Sequence, residues 1–320
     1  MSSKSTLTLL WITLSLLAIT ASPALAHDGE PHGAQNWWAA WSLEPGVMLL
    51  LGISAAAYTR GWRAMVRRGG GASGRLKAQS WAFVAGIFVL AIALLSPLDA
   101  LAGQLFWVHM LQHNLLMLAA APLLVLAYPL PAILLGLPAE ARRGLGAGWR
   151  RLEWLRAAYG IVSSPAVAWL LQAVLLWGWH SPFFYQASVE NDLVHAIQHF
   201  SFLGSALLFW WVTLRTYGGS RANRGLAILY LFTTALYSGL LGALLTFSER
   251  LWYPIYAGRA EAWGISALAD QQLAGTIMWV PAGMVYLAAA LWMMKTWLDD
   301  MEAQEAHTEP KPRFVDEELL

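Results

Sequence analysis

The chain contains 320 residues, of which 58% are hydrophobic and only 12% charged, and its mean hydropathy is +0.49. Soluble proteins average about 25% charged residues, so this composition excludes a soluble globule and a disordered chain. Long apolar segments separated by short charged ones predict an all-α polytopic membrane protein that spans a lipid bilayer. Because the sequence has no cysteine, disulfides and thiolate metal ligands are excluded.

The first 26 residues have the features of a cleavable signal peptide. Lys4 precedes an apolar stretch at residues 7–19, and Ala24 and Ala26 form a small-residue cleavage site. This stretch is shorter than the roughly 20 residues that a bilayer span needs. The alternative is an uncleaved N-terminal anchor. In either case we expect residues 27–42 to form a segment outside the cytoplasm.

Seven further apolar runs are long enough to cross a bilayer, and they predict a seven-helix membrane domain over residues 43–298. The runs lie near residues 44–59, 80–96, 107–128, 161–180, 193–213, 225–246 and 271–296. Residues 299–320 are acidic and contain prolines, which predicts a disordered cytoplasmic tail. We find no motif for nucleic-acid binding and expect no nucleic-acid partner.

Basic residues are concentrated in alternate connections of the predicted membrane domain. Of the 20 lysines and arginines, 17 fall in residues 60–77, 142–156 and 215–224 and at the C-terminus. Only Arg250 and Arg259 lie in the other connections. Since cytoplasmic loops are enriched in basic residues, this asymmetry places the N-terminus outside and the C-terminus inside.

Histidine is the residue type that indicates chemistry in this chain. Five of the eight histidines fall near the predicted outer ends of membrane helices, where ionisable groups are costly and therefore indicate function. These five candidate metal ligands are His109, His113, His180, His195 and His199.

Four of these histidines occur in two matching hexapeptides of the form V-H-x-x-Q-H, at residues 108–113 and 194–199. A spacing of four residues places both imidazoles of a pair on one face of a helix. The two helices are predicted to be parallel, so the pairs can meet at one depth. His180 ends the preceding helix and could supply a fifth nitrogen to the same site.

Four polar residues near the histidines are further candidates for a metal ligand or for a hydrogen-bond partner that orients an imidazole. Gln112 and Gln198 lie within the hexapeptides, and Asp99 and Asp270 lie at predicted outer helix ends. The alternative roles are an interhelical amide hydrogen bond for the glutamines and helix capping for the aspartates.

The ligand types restrict the identity of the metal. Imidazoles suit copper, zinc, iron or nickel, and they disfavour metals that prefer hard oxygen ligands. Haem is an alternative that fits less well, because two histidines one turn apart on one helix cannot lie on opposite sides of a porphyrin, although one from each helix could. Met110 and Met117 could add a soft thioether, although methionine in an apolar helix commonly serves packing.

Four blocks of sequence, in order, resemble the bacterial cytochrome c oxidase assembly factors of the CtaG type. The blocks are residues 96–99 with 106–113, residues 179–182 with Tyr185, residues 194–202 and residues 270–279. The similarity extends over about residues 43–297. The chain departs from the family pattern at Gln198, where an acidic residue is commoner.

The resemblance implies a multi-pass protein of the bacterial plasma membrane that is needed to form active haem–copper oxidase. It implies a non-enzymatic metallochaperone that binds copper and delivers or inserts it, with oxidase subunits as partners. The alternative from another class is an intramembrane zinc-dependent hydrolase of the ceramidase-like type, with Asp270 as the base. Copper in the purified protein would support the first function, and zinc would support the second.

Signal-peptide cleavage after Ala26 would create a second possible copper site. His27 would then be the first residue, and its free α-amine and imidazole could chelate one copper ion. His32 could provide a third ligand. The alternative is that both histidines are ordinary solvated residues.

Overall fold

The computed structural model describes residues 37–308, and this part of the chain consists of helices and their connections, without β-strands. The α-helices are α1 (Pro45–Arg68), α2 (Gly74–Leu95), α3 (Pro97–Ala102), α4 (Phe106–Asn114), α5 (Ala121–Ala127), α6 (Leu130–Gly136), α7 (Ala139–Arg151), α8 (Glu153–Val162), α9 (Pro165–Trp179), α10 (Pro182–Glu190), α11 (Asp192–Tyr217), α12 (Arg221–Thr246) and α13 (Ala267–Thr308). A π-helical segment, Leu115–Ala120, joins α4 to α5.

Five spans in the described residues are long and apolar enough to cross a membrane: Gly74–Leu95, Phe106–Ala127, Asp192–Tyr217, Ala222–Thr246 and Ala267–Gln304. Helices α8 and α9 can form a sixth, although they are bent by 79° where Pro165 begins α9. The described residues confirm the all-α class, and these apolar helices support a membrane protein. Helix α1 is not among the five, because its apolar part ends at Arg60 and contains Gly52 and Ser54. The count of seven spans therefore stays a prediction.

Close packing of helix backbones depends on small residues at two crossings. A β-carbon on Gly61 of α1 would lie 1.6 Å from the carbonyl oxygen of Ala132 in α6, so only glycine fits there. Helices α12 and α13 meet in the same way, since a β-carbon on Gly275 would lie 2.7 Å from the carbonyl oxygen of Gly242. Small residues at helix interfaces are typical of membrane proteins.

The predicted disorder of the tail from residue 299 onward is wrong for its first ten residues, because α13 continues to Thr308. Two ion pairs lie at the start of this extension: Lys295 Nζ lies 2.7 Å from Asp299 Oδ2, and Arg224 lies 2.6 Å from Asp300 Oδ2. Alanine, glutamate and glutamine at residues 302–306 also have high helix propensity. Residues 309–320 lie outside the described part of the chain, as does the predicted signal peptide.

The orientation of the bundle is a prediction that cysteine labelling can test. In this cysteine-free chain, a membrane-impermeant thiol reagent added to intact cells should label Glu190→Cys and should not label Ala72→Cys. The reason is that Ala72 lies in an arginine-rich connection, whereas residues 181–191 belong to a connection without basic residues. After the cells are opened, both positions should react. Labelling of Ala72→Cys alone in intact cells would reverse the orientation.

Candidate metal centre

The five predicted histidines lie at one end of the helical bundle, on three elements. Helix α4 carries His109 and His113, helix α11 carries His195 and His199, and His180 caps the C-terminus of α9. Local sequence fixes the start of α11, because the Asn191 side chain accepts a hydrogen bond from the backbone nitrogen of Val194 at 3.1 Å. This is the usual role of asparagine at an N-cap.

The start of α4 is fixed by a residue from the other end of the sequence. Leu105, at the N-cap, provides no capping side chain. The Asp270 carboxylate of α13 instead accepts from the backbone nitrogens of Phe106 at 2.8 Å and Trp107 at 3.0 Å. A carboxylate at a helix N-terminus satisfies unpaired N–H groups and interacts favourably with the helix dipole. Asp270 is therefore a cap that positions the helix bearing His109 and His113.

The imidazoles of the two hexapeptides are in mutual contact. The ring centroids of His109 and His113 are 4.4 Å apart, and those of His195 and His199 are 4.1 Å apart. Between the helices, the His109 ring lies 5.2 Å from His195, and the His113 ring lies 5.3 Å from His199. The structure thus brings both predicted pairs together, with the helices parallel and the rings at one depth.

Three of these side chains offer nitrogen atoms to one point. One nitrogen each from His109, His113 and His199 lie within 4.8 Å of one another, and this group contains no carboxylate. Within the described residues, neither ring nitrogen of His113 has a hydrogen-bond partner, and the same is true of His199 Nε2. His113 is only 3% exposed. A buried polar atom without a partner is costly, and a bound ion is one explanation for it.

His180 lies beside this group rather than within it. Its ring centroid is 6.4 Å from that of His113, and both of its nitrogens face other atoms. Nδ1 lies 2.7 Å from the carbonyl oxygen of Leu176, and Nε2 lies 3.3 Å from the sulfur of Met110. The prediction that His180 is a neighbour of the pairs is consistent with this position, whereas a fifth nitrogen for the same ion would require the ring to move.

The remaining polar candidates lie around the histidines and contact each other or the rings. Gln198 Oε1 lies 3.4 Å from His109 Nε2, which is long for a hydrogen bond. Gln112 donates to Asp99 Oδ1 and to the carbonyl oxygen of Ala93, both at 2.7 Å. Gln112 and Asp99 thus tie α4 to α2 and α3.

Two tyrosines that sequence reasoning missed close the site from the connection at residues 247–266. Tyr253 OH donates to the carbonyl oxygen of His180 at 2.6 Å. Tyr256 OH donates to the carbonyl oxygen of Ala102 at 3.1 Å and lies 3.4 Å from His109 Nδ1. Burial raises the pKa of both phenols, so they stay protonated and can donate. The length of this connection was the available signal in the sequence for a structured segment at this end of the bundle, because a plain turn between two helices needs fewer residues.

His27 and His32, the histidines of the predicted N-terminal copper site, lie outside the described residues. That site stays a prediction.

Comparison with known proteins identifies a family. The family model described as cytochrome c oxidase caa3 assembly factor matches residues 56–300, which include the whole histidine cluster. No curated protein and no solved structure shows significant similarity to this chain. The family model covers most of the sequence and contains all four blocks on which the resemblance rests. The chain therefore belongs to the cytochrome c oxidase caa3 assembly factor family.

Proposed function

We propose that this protein supports the assembly of haem–copper cytochrome c oxidase by binding copper at the histidine cluster and delivering or inserting it. The observation that carries the proposal is the meeting of three imidazole nitrogens, from His109, His113 and His199, within 4.8 Å. Imidazole nitrogens bind copper well. A factor that assembles a copper enzyme by metal delivery must itself bind copper. In this proposal copper is the cargo rather than a resident cofactor.

The ligand set suits a protein that must release its metal. A copper ion about 2 Å from three nitrogens, the distance seen for zinc, would hold those nitrogens about 3.3–3.5 Å apart, and the three imidazole nitrogens here lie within 4.8 Å of one another. Neutral imidazoles leave the charge of the ion uncompensated in a low-dielectric site. Binding is then weaker than at a site with anionic ligands, so copper can pass to an oxidase subunit.

The proposed location is the outer face of the bacterial plasma membrane, in a bundle of seven helices with the N-terminus outside. The distribution of basic residues supports this orientation. In that orientation α4 and α11 begin at the outer surface, and the histidines lie in their first two turns.

A zinc hydrolase is the competing function, because three histidines also form the ligand set of some catalytic zinc sites. Such an enzyme needs a general base near the metal. Asp270 was the candidate, but its two carboxylate oxygens accept hydrogen bonds from Phe106 and Trp107. The geometry therefore supports a metal carrier better than a hydrolase.

Deletion of the gene tests the proposed function. At low copper, we expect a deletion strain to make the oxidase polypeptides but to leave them copper-deficient and inactive, with partial recovery at high copper. The measurement is the metal content and activity of the oxidase purified from each strain. A chromosomal copy of the wild-type gene should restore both. Fully metallated, active oxidase in the deletion strain at low copper would contradict the proposal, and zinc instead of copper in the purified protein would favour the hydrolase.

A further inference from the structure

We propose that Met110 and His180 form a second copper site next to the three-histidine group, with a preference for copper(I). This proposal deepens the copper-carrier function and rests on it. Both side chains are buried, with Met110 1% and His180 3% exposed. His180 Nε2 and the Met110 sulfur are 3.3 Å apart.

The hydrogen bonding of His180 decides which of its nitrogens can bind a metal. A carbonyl oxygen only accepts, so the 2.7 Å contact between Nδ1 and Leu176 requires the hydrogen to be on Nδ1. A second hydrogen on Nε2 would create a buried imidazolium, which is costly without a paired charge. Nε2 therefore has a free electron pair, and this pair is directed at Met110.

The Met110 sulfur also offers electron pairs and carries no hydrogen. The two atoms thus face each other as two potential ligands. Nitrogen and sulfur bound to one ion at about 2.0 and 2.3 Å, as they are to zinc, would be 3.3 Å apart at an angle of about 100°. Such an ion would lie beside the line that joins the two atoms, so the imidazole or the thioether would have to rotate to bind it.

The thioether determines the preference of the pair. Soft ligands such as methionine select copper(I), whereas imidazoles accept several metals. The pair also adjoins the three-histidine group, since Met110 and His113 lie one turn apart on α4 and the His180 and His113 rings are 6.4 Å apart. Copper could pass between the two positions through His113, whose nitrogens have no hydrogen-bond partner among the described residues.

X-ray absorption of the purified full-length protein loaded with copper(I) tests the pair. Because the chain has no cysteine, any sulfur bound to copper must come from one of its ten methionines. We expect a sulfur scatterer in the wild type and its loss in Met110→Leu. Met117→Leu, a change at another buried methionine of the same span, is the control and should retain the sulfur signal. The exchange of methionine for leucine nearly conserves volume, so both variants should fold.

A titration with silver(I) and zinc(II) separates the two sites. Met110→Leu and His180→Gln should each weaken silver(I) binding by at least about tenfold, the lower range for a change around a metal site, and leave zinc(II) binding unchanged. If neither change alters silver(I) binding and zinc(II) binding is normal, the proposed Met110–His180 site is refuted, and the carrier function is unaffected. If the wild-type protein binds neither silver(I) nor zinc(II), the proposed function is refuted.

Discussion

Replacement of His113 by leucine is expected to weaken copper binding by more than about 100-fold, because loss of a ligand should exceed the 10–100-fold effect of residues around a site. The same change should not reduce the stability of the metal-free protein. Both nitrogens of His113 are buried without a hydrogen-bond partner in the described structure, so an apolar side chain removes their desolvation cost. Copper affinity by competition titration and thermal unfolding in detergent measure the two effects.

The control for this change is Gln172→Leu. Gln172 is a buried polar residue of α9, and its amide donates to Tyr286 OH at 3.2 Å, away from the imidazoles. We expect unchanged copper affinity in this variant. Wild-type copper affinity in His113→Leu would contradict a site that contains His113.

A double replacement tests whether the two hexapeptides share one ion. If His113 and His199 bind the same copper, the effects of His113→Leu and His199→Leu should be strongly non-additive, because either change alone removes the site. If the effects on affinity simply add, the two histidines bind separately. Full copper occupancy in His109→Ala/His195→Ala would refute a site that needs His109 or His195.

The histidine cluster was predictable from the sequence because its determinants are local. The spacing within 108–113 and 194–199 places each pair on one helix face, and the alternation of spans makes the two helices parallel. The rings of the pairs do meet, at 5.2 Å between His109 and His195. Periodicity and topology were sufficient to predict that the pairs meet, although the cap that fixes the start of α4 comes from a distant residue.

The roles of the surrounding residues were not predictable, since they depend on contacts between distant segments. Asp270 is 164 residues from Phe106 in sequence, yet it caps the helix that Phe106 begins. The Tyr256 contact with His109 joins residues 147 apart. Composition also misjudged residues 299–308, because an acidic segment can continue a helix when a preceding span has already formed its first turns.

Replacement of Asp270 by alanine is expected to destabilise the metal-free protein by roughly 3–6 kcal/mol, since two hydrogen bonds to a carboxylate contribute about 1.5–3 kcal/mol each. It leaves the N–H groups of Phe106 and Trp107 without the acceptor that now caps α4. Asp270→Asn retains one carbonyl acceptor, and we expect about half the loss. Copper affinity should fall as well, because the first turns of α4 hold His109 and His113.

The order of these effects distinguishes a cap from a metal ligand. Asp300→Asn, at the other end of α13, breaks only an exposed ion pair with Arg224 and should cost less than about 1 kcal/mol. If Asp270 is a cap, both of its variants should lower the unfolding free energy without metal, as measured in detergent. If it were a ligand, Asp270→Asn would abolish copper binding while leaving the metal-free protein almost as stable as the wild type. Both carboxylate oxygens face the start of α4, so we expect the loss of stability to appear first and the loss of copper to follow from it.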